Sequence, residues 1–210
     1  MKRRADLRYE RKLWREGLLA VAGVDEAGVG PMAGPVVGAA VIFPPETHIK
    51  GVHDSKQVPA PKREELYDII IKRAQAFAVG IAEVEEIDRL NIYHATLAAC
   101  LRAVEALCIK PEHVLIDGRP LRNLKLPQTH IVGGDRKSFC IAAASIVAKV
   151  TRDRLMCELD SVYPGYGFAR HKGYCTAEHL EAIERLGPSP IHRTSFAPVT
   201  AAAQLNLRFI

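Results

Sequence analysis

Residues 20–43 read AVAGVDEAGVGPMAGPVVGAAVIF, and this stretch decides the fold. Ala20–Asp25 is a run of small and β-branched residues that predicts a buried strand, closed by two acids, Asp25 and Glu26. Gly28, Gly30, Pro31 and Gly34 then make a turn-rich loop. Pro35–Phe43 predicts a second strand, and the short link predicts that the two pair antiparallel.

Working outward, helical spacing of Leu66, Ile69, Ile70, Arg73 and Phe77 predicts a helix from Lys62 to Ala76. Ala78–Val84 reads as a strand. Leu90, His94, Leu97, Leu101, Val104 and Leu107 predict one long helix over Glu86–Leu107, stopped by Pro111. His113–Ile116 is a short apolar strand ending at Asp117. Thr129–Val132 is another, followed by Gly133, Gly134 and Asp135. Ser138–Leu159 predicts a helix whose apolar first half is buried. Thr176 is placed to cap a helix over Ala177–Leu186 that Gly187 ends. Residues 2–16 predict a basic helix with a solvated face, a reading favoured over a phosphate-facing arm. Hairpin strands first and alternating strands and helices later imply an α/β fold, a mixed sheet covered by helices.

The chain has 210 residues, 48% hydrophobic and 25% charged, with a formal net charge of +5. That supply of apolar residues excludes intrinsic disorder and suffices for one sizeable core. No run of about 18 apolar residues predicts a membrane span, and the charged N-terminus is unlike a signal peptide, so a cytoplasmic protein is expected. The mildly basic balance favours polyanion partners only weakly. The five cysteines are odd in number and widely spaced. They are expected to be small buried hydrophobes, without disulfides or a structural zinc.

The candidate chemistry lies in four acids at strand ends: Asp25, Glu26, Asp117 and Asp135. In open α/β sheets functional groups gather beyond strand ends. Adjacent strands lie about 4.8 Å apart, so such acids can converge. Hard oxygen donors of this kind suit Mg²⁺ or Mn²⁺ rather than zinc. A single Asp at a strand end is more often a turn or cap residue; the joint placement of four is what points to a site. The loop Gly28-Val29-Gly30-Pro31 could present backbone N–H groups to a ligand, although hairpin turns need glycine too. It is not a P-loop, which disfavours a nucleotide hydrolase.

Several long motifs together resemble bacterial ribonuclease HII. They are GVDEAGVGPMAGPVVGAAVIF (23–43), Asp54-Ser55-Lys56, Leu115-Ile116-Asp117-Gly118, and Gly134-Asp135-Arg136-Lys137-Ser138 with IAAASIVAKVTRDRL. The C-terminal YPGYGFARHKGYCTAEHLEAIERLGPSPIHRTSFAPV completes the series. The resemblance spans about Leu13 to Val199. It implies a ribonuclease H-like fold: a mixed five-stranded sheet flanked by helices, with extra C-terminal helices. The expected division is a catalytic core over 1–160 and a helical extension over 161–210.

It also implies a metal-dependent endoribonuclease. Such an enzyme hydrolyses RNA in RNA–DNA hybrids and cuts 5′ to ribonucleotides embedded in duplex DNA, leaving a 5′-phosphate and a 3′-hydroxyl. Asp25, Glu26, Asp117 and Asp135 are then the catalytic and metal-binding carboxylates, holding Mg²⁺ or Mn²⁺, two ions with substrate bound. Gly28, Val29 and Gly30 become the loop that reads the 2′-hydroxyl, and Tyr174 the substrate-sensing tyrosine. Lys56, Lys137, Arg170 and Lys172 are candidates for phosphate contact. The partners implied are hybrid and ribonucleotide-containing duplexes, with no membrane, and a monomer is expected.

One residue departs from the family pattern: Val29 stands where the family has arginine, and valine offers neither charge nor hydrogen bond. That departure motivates a competing reading, a hybrid-binding protein with little turnover. His171, His179 and His192 fit no zinc spacing and are expected to cap or to contact phosphate. Asp153 is expected to be a helix-surface ion-pair partner.

Overall fold

The computed structural model describes residues 5–206. A five-stranded sheet runs in the order β3-β2-β1-β4-β5. Its strands are β1 (Val21–Ala27), β2 (Val36–Ile42), β3 (Ala76–Ala82), β4 (His113–Asp117) and β5 (Gln128–Ile131). β1 pairs antiparallel with β2 and β2 with β3, whereas β1–β4 and β4–β5 are parallel. The sheet is therefore mixed, as expected.

Helices cover both faces, and the period-2 alternation of the strands decides which residue meets which helix. Ala39, Val41 and Phe43 pack with α5 (Phe139–Val162) and α2 (Ala60–Arg73). Ala22, Val24, Ala40 and Ile42 pack on the other face with α4 (Ile92–Glu105). Glycine sets how close the helices come. A Cβ on Gly23 would overlap the Cys140 carbonyl of α5, and one on Gly38 would lie 2.7 Å from the Cys100 nitrogen of α4. Both contacts are with backbone, which cannot step aside.

α1 (Arg8–Arg15) docks by one face only. Its Glu10 is fully buried and accepts from Ser138 Oγ at 2.6 Å and the Cys140 N–H at 2.9 Å, serving the first turn of α5. Burial raises the Glu10 carboxyl above its ordinary value. The rest of the expected basic face is exposed; residues 2–4 of the expected helix lie outside the described residues.

Beyond residue 160 come α6 (Phe168–His171), α7 (Ala177–Leu186) and α8 (Ala197–Asn206). Tyr166, Phe168, Ala182, Ile183 and Val199 pack there around Met32, Ala33 and Met156. The outermost residues of the expected 1–160 and 161–210 division, 1–4 and 207–210, lie outside the described residues. Among the described residues no helix is long and apolar enough to cross a membrane.

Four expectations are corrected. The single helix over 86–107 is two, α3 (Val84–Leu90) and α4, broken at Asn91. Asn91 takes φ 67° and its side chain accepts the His94 N–H at 3.1 Å, so it punctuates and caps at once. The helix expected over 62–76 begins at Ala60, with Pro61 in its first turn, and ends at Arg73. The following strand accordingly begins at Ala76, so Phe77 lies in β3 rather than on a helix face. Of the cysteines, Cys100 and Cys140 are buried as expected, but Cys108, Cys157 and Cys175 are exposed. Asp153 pairs with Lys149 at 2.7 Å and Arg63 at 3.7 Å, as its sequence context predicts.

Gly23→Val tests the close packing of β1 on α5. The variant is expected to lose about 3 kcal/mol or more of stability in urea unfolding, because backbone must move on both sides of the contact. A loss under about 1 kcal/mol would contradict this.

Candidate active site

The parallel register of β1 and β4 ends with Val24 opposite Ile116, so Asp25 and Asp117 follow at neighbouring strand ends. Alternation sends Asp25 toward the α5 face, where the Ser145 hydroxyl acts to lower its pKa, and Glu26 toward the α4 face. Asp25 Oδ1 accepts the Glu26 N–H at 2.8 Å. Asp117 Oδ1 accepts the Gly134 N–H at 2.5 Å, drawing the segment after β5 inward. Asp135 follows in a 3₁₀ turn over Gly134–Arg136, itself buried.

The four acids form one electrostatic unit. Burial holds the Asp25 carboxyl well above the usual range, with Glu26 and Asp117 adding to the effect. Glu26 is pushed up to about 7, first by burial and then by Asp117 and Asp135, against the pull of Lys56. Asp135 is raised by burial, then by Asp54 and Asp117, with Arg136 and Lys56 opposing. Beneath them lies the buried Cys100, whose thiol burial and the charges of Glu26, Asp25 and Asp117 hold neutral.

Among the described residues no three His, Cys, Asp or Glu side chains close into a ready-made metal cage. The donor set is nonetheless all oxygen, crowded and mutually repelling. That suits a hard divalent cation which takes its remaining ligands from water and phosphate.

Lys56 reaches the group from a 3₁₀ turn over Ser55–Gln57, capped by Asp54, which accepts the Lys56 N–H at 3.0 Å. Ser55 and Ser145 share a buried hydroxyl–hydroxyl bond of 2.8 Å, tying this turn to α5 beside Asp25.

The loop over residues 28–35 adjoins the acids through the end of β1. Val29 and Gly30 are exposed, and a Cβ on Gly30 would stand 3.9 Å from Tyr174 Cε1. Tyr174 is exposed, with Lys149 Nζ 5.7 Å from its ring centroid. The structure thus brings Gly28, Val29, Gly30, Lys56 and Tyr174 to the acids or their adjoining loop. The other cations are engaged elsewhere. Lys137 Nζ donates to the Val132 carbonyl at 2.6 Å, Arg170 pairs with Glu178, and Lys172 Nζ donates to Cys157 Sγ and the Ala169 carbonyl.

Two of the three histidines form a relay behind Tyr174. The Ser189 N–H donates to His192 Nδ1 at 2.8 Å, which leaves the His192 Nε2–H to donate to His179 Nε2 at 2.9 Å. The His179 Nδ1–H then donates to the Tyr174 carbonyl at 2.9 Å. Burial lowers both His179 and His192 to about 4, so they are neutral imidazoles at physiological pH. His171 Nδ1 accepts the Gly173 N–H at 3.2 Å. These contacts are with backbone and with one another, not with an exposed phosphate site.

Two arginines were not singled out by sequence reasoning. Arg152 and Arg193 are fully buried and donate to backbone carbonyls of the loop. The signal available was the loop's composition. Pro31 and Pro35 remove N–H donors, so the segment carries more acceptors than it can satisfy itself.

The family model for ribonuclease HII matches residues 22–199. The chain belongs to the ribonuclease HII family. It is 59% identical over 199 residues to a ribonuclease HII from Anaeromyxobacter, covering 95% of this chain and 63% of that protein's length. A ribonuclease HII from Moorella thermoacetica is 56% identical over 188 residues, 90% of this chain and 91% of the other. In three dimensions the chain is similar to ribonuclease H2 from Pyrococcus horikoshii. The TM-score is 0.74 at 28% identity, over 88% of this chain and 97% of that one. Ribonuclease HII proteins are ribonucleases H, endonucleases by class, and this chain is one of them. The α/β sheet and the C-terminal helices are those of this fold.

The crowding of the acids has a measurable consequence without divalent cation. Glu26, raised to about 7 from 4.5, opposes folding when ionised. Its contribution therefore improves as pH falls from above 7 toward 4.5, and worsens as pH rises. His179 and His192 act oppositely between about 6.5 and 4, so the comparison must be between two proteins rather than two pH values. In chelator at pH 8, Glu26→Gln is expected to be more stable than the parent by about 1–2 kcal/mol, with the gap closing below pH 5. Equal or lower stability at pH 8 would contradict the repulsion.

Proposed function

We propose that the chain hydrolyses RNA in RNA–DNA hybrids and cuts 5′ to single ribonucleotides in duplex DNA, leaving a 5′-phosphate and a 3′-hydroxyl. The convergence of Asp25, Glu26, Asp117 and Asp135 beside an exposed glycine loop carries this reading. The four acids would hold Mg²⁺ or Mn²⁺, two ions with substrate in place. When bound, such ions supply positive charge for the scissile phosphate and a water acidic enough to attack it.

The protein's own contributions are orientation and discrimination. Backbone N–H groups clamp one oxygen each of Asp25 and Asp117, which fixes the direction of the other. Lys56 offsets part of the negative charge, and we assign it the contact with the incoming phosphodiester. The loop over Gly28–Gly30 offers main-chain atoms to the ribose. The 2′-hydroxyl is the group that separates RNA from DNA at one nucleotide. Tyr174, exposed beside Gly30, offers a ring face to the sugar that follows. Water attacks phosphorus, the bond to the 3′ oxygen breaks, and that oxygen takes up a proton. All four acids come from one chain, and we read the active unit as a monomer.

A labelled DNA duplex carrying one ribonucleotide, incubated with Mg²⁺ or Mn²⁺, is expected to be cut on the 5′ side of that nucleotide. No cleavage with either ion would overturn the proposal and leave binding without turnover. Asp117→Asn is expected to lower the rate by several orders of magnitude with the fold intact by circular dichroism. Tyr174→Ala is expected to slow cutting at isolated ribonucleotides while changing stability little; an unchanged rate would reduce Tyr174 to a packing role.

A further inference from the structure

Loop 28–35 is held from behind by two guanidinium groups. Arg193 donates through Nε to the Gly34 carbonyl at 3.0 Å. Its Nη1 reaches Pro31 at 2.6 Å and Val29 at 3.2 Å, and its Nη2 reaches Gly28 at 2.6 Å, Gly34 at 2.8 Å and Pro35 at 3.3 Å. Arg152 donates to the carbonyls of Pro35 at 2.9 Å, Ala33 at 3.0 Å and Lys172 at 2.9 Å. Six of the eight loop carbonyls point at these two side chains.

Among the described residues neither arginine has a carboxylate within ion-pair distance, although both are fully buried. Burial lowers Arg193 to about 9 and Arg152 to about 10. Each charge is offset by carbonyl oxygens alone, an arrangement that costs more than neutral packing and that fixes the direction of those carbonyls. The close approach also accounts for the glycine at 28. Its φ is 102°, and a Cβ there would overlap the Arg152 side chain.

The orientation has a geometric consequence. In a trans peptide the C=O and the following N–H point in opposite directions. With the carbonyls of Gly28 and Val29 drawn inward, the N–H groups of Val29 and Gly30 are turned outward. Among the described residues neither N–H has a protein acceptor, and both residues are exposed. Two successive free N–H groups beside a carboxylate cluster form a small donor nest.

We propose that Arg193 and Arg152 are positioning residues for cleavage at isolated ribonucleotides, because they turn the Val29 and Gly30 N–H groups outward as a preorganised donor pair for the substrate's ribose–phosphate. The device works through the main chain, so it operates in this chain although residue 29 is valine. Lysine cannot replace Arg193: one ammonium has three donors and no planar fork to collect carbonyls of five residues. The inference rests on the function proposed above.

The test compares kcat/KM on a duplex with one ribonucleotide against kcat/KM on a long RNA–DNA hybrid. Arg193→Lys is expected to lower the single-ribonucleotide to hybrid ratio by about tenfold or more. Val29→Pro, which deletes one outward N–H and leaves both arginines intact, is expected to lower the same ratio in the same direction. Thermal unfolding of each variant is measured alongside. A purely structural role for Arg193 would lower the melting temperature and scale both activities together, leaving the ratio unchanged. A wild-type ratio in folded Arg193→Lys, or in folded Val29→Pro, overturns the proposal. If Arg193→Lys does not fold, Arg152→Lys and Val29→Pro carry the same comparison. Failure of the unmodified protein to cut either substrate would instead overturn the proposed function, so the two failures are distinguishable.

Discussion

The parallel pairing of β1 with β4 puts Asp25 and Asp117 at neighbouring strand ends, and the repulsion between them organises the site. The spacing between strands, about 4.8 Å, leaves these charges no room to separate. Pleating sends Asp25 and Glu26 to opposite faces, and each face supplies a different response. On the α5 side Ser145 offers a hydroxyl to Asp25; on the α4 side a neutral buried thiol, Cys100, lies beneath. Lys56 is the positive group that opposes the rise of both Glu26 and Asp135. The residual repulsion is what a divalent cation would relieve, so stability lost in the cation-free protein and affinity gained for the ion are two aspects of one arrangement.

Holding those carboxylates steady requires a sheet that does not flex, and the sequence achieves this by omission of side chains. Gly23 faces α5 and Gly38 faces α4, with backbone against backbone on each side. Close helix contact on both faces leaves β1 little freedom to slide. A register slip of one residue would exchange the faces of Asp25 and Glu26 and carry apolar residues out of both core clusters.

Much of this was legible in the amino-acid sequence, for a physical reason. Short apolar runs ending in acids predict strands with charges at their ends, and β1 and β4 lie where that pattern puts them. The break at Asn91 was hidden because the apolar spacing from Leu90 to Leu107 is unbroken by glycine or proline; only the side chain's cap reveals it. The start of β3 was displaced because Phe77 fits a helical period as well as an alternating one. The buried arginines were hidden for a different reason. A lone Arg, whether in a helix like Arg152 or in a loop like Arg193, reads as a solvated charge, and its true environment is assembled from loop carbonyls more than a hundred residues away in sequence. Proline content in residues 28–35 was the one local sign of the deficit those arginines fill.

Arg152 also links the two parts of the site that lie far apart in the chain. One of its nitrogens holds the Ala33 carbonyl and another the Lys172 carbonyl, so loop 28–35 and the segment leading to Tyr174 share a single rigid group. The Met32 N–H donates to the Gly173 carbonyl at 2.9 Å, and a Cβ on Gly173 would overlap the Ala33 carbonyl, so the two segments are also in direct backbone contact. The separation between the two main-chain segments that carry Gly30 and Tyr174 is therefore set by backbone contacts and one planar cation. Behind Tyr174 the His192–His179 relay adds a third restraint through neutral groups. A charged partner there would repel Arg193, which follows His192 in the chain and already carries a positive charge into the same interior. Neutral imidazoles supply directional hydrogen bonds without adding to it.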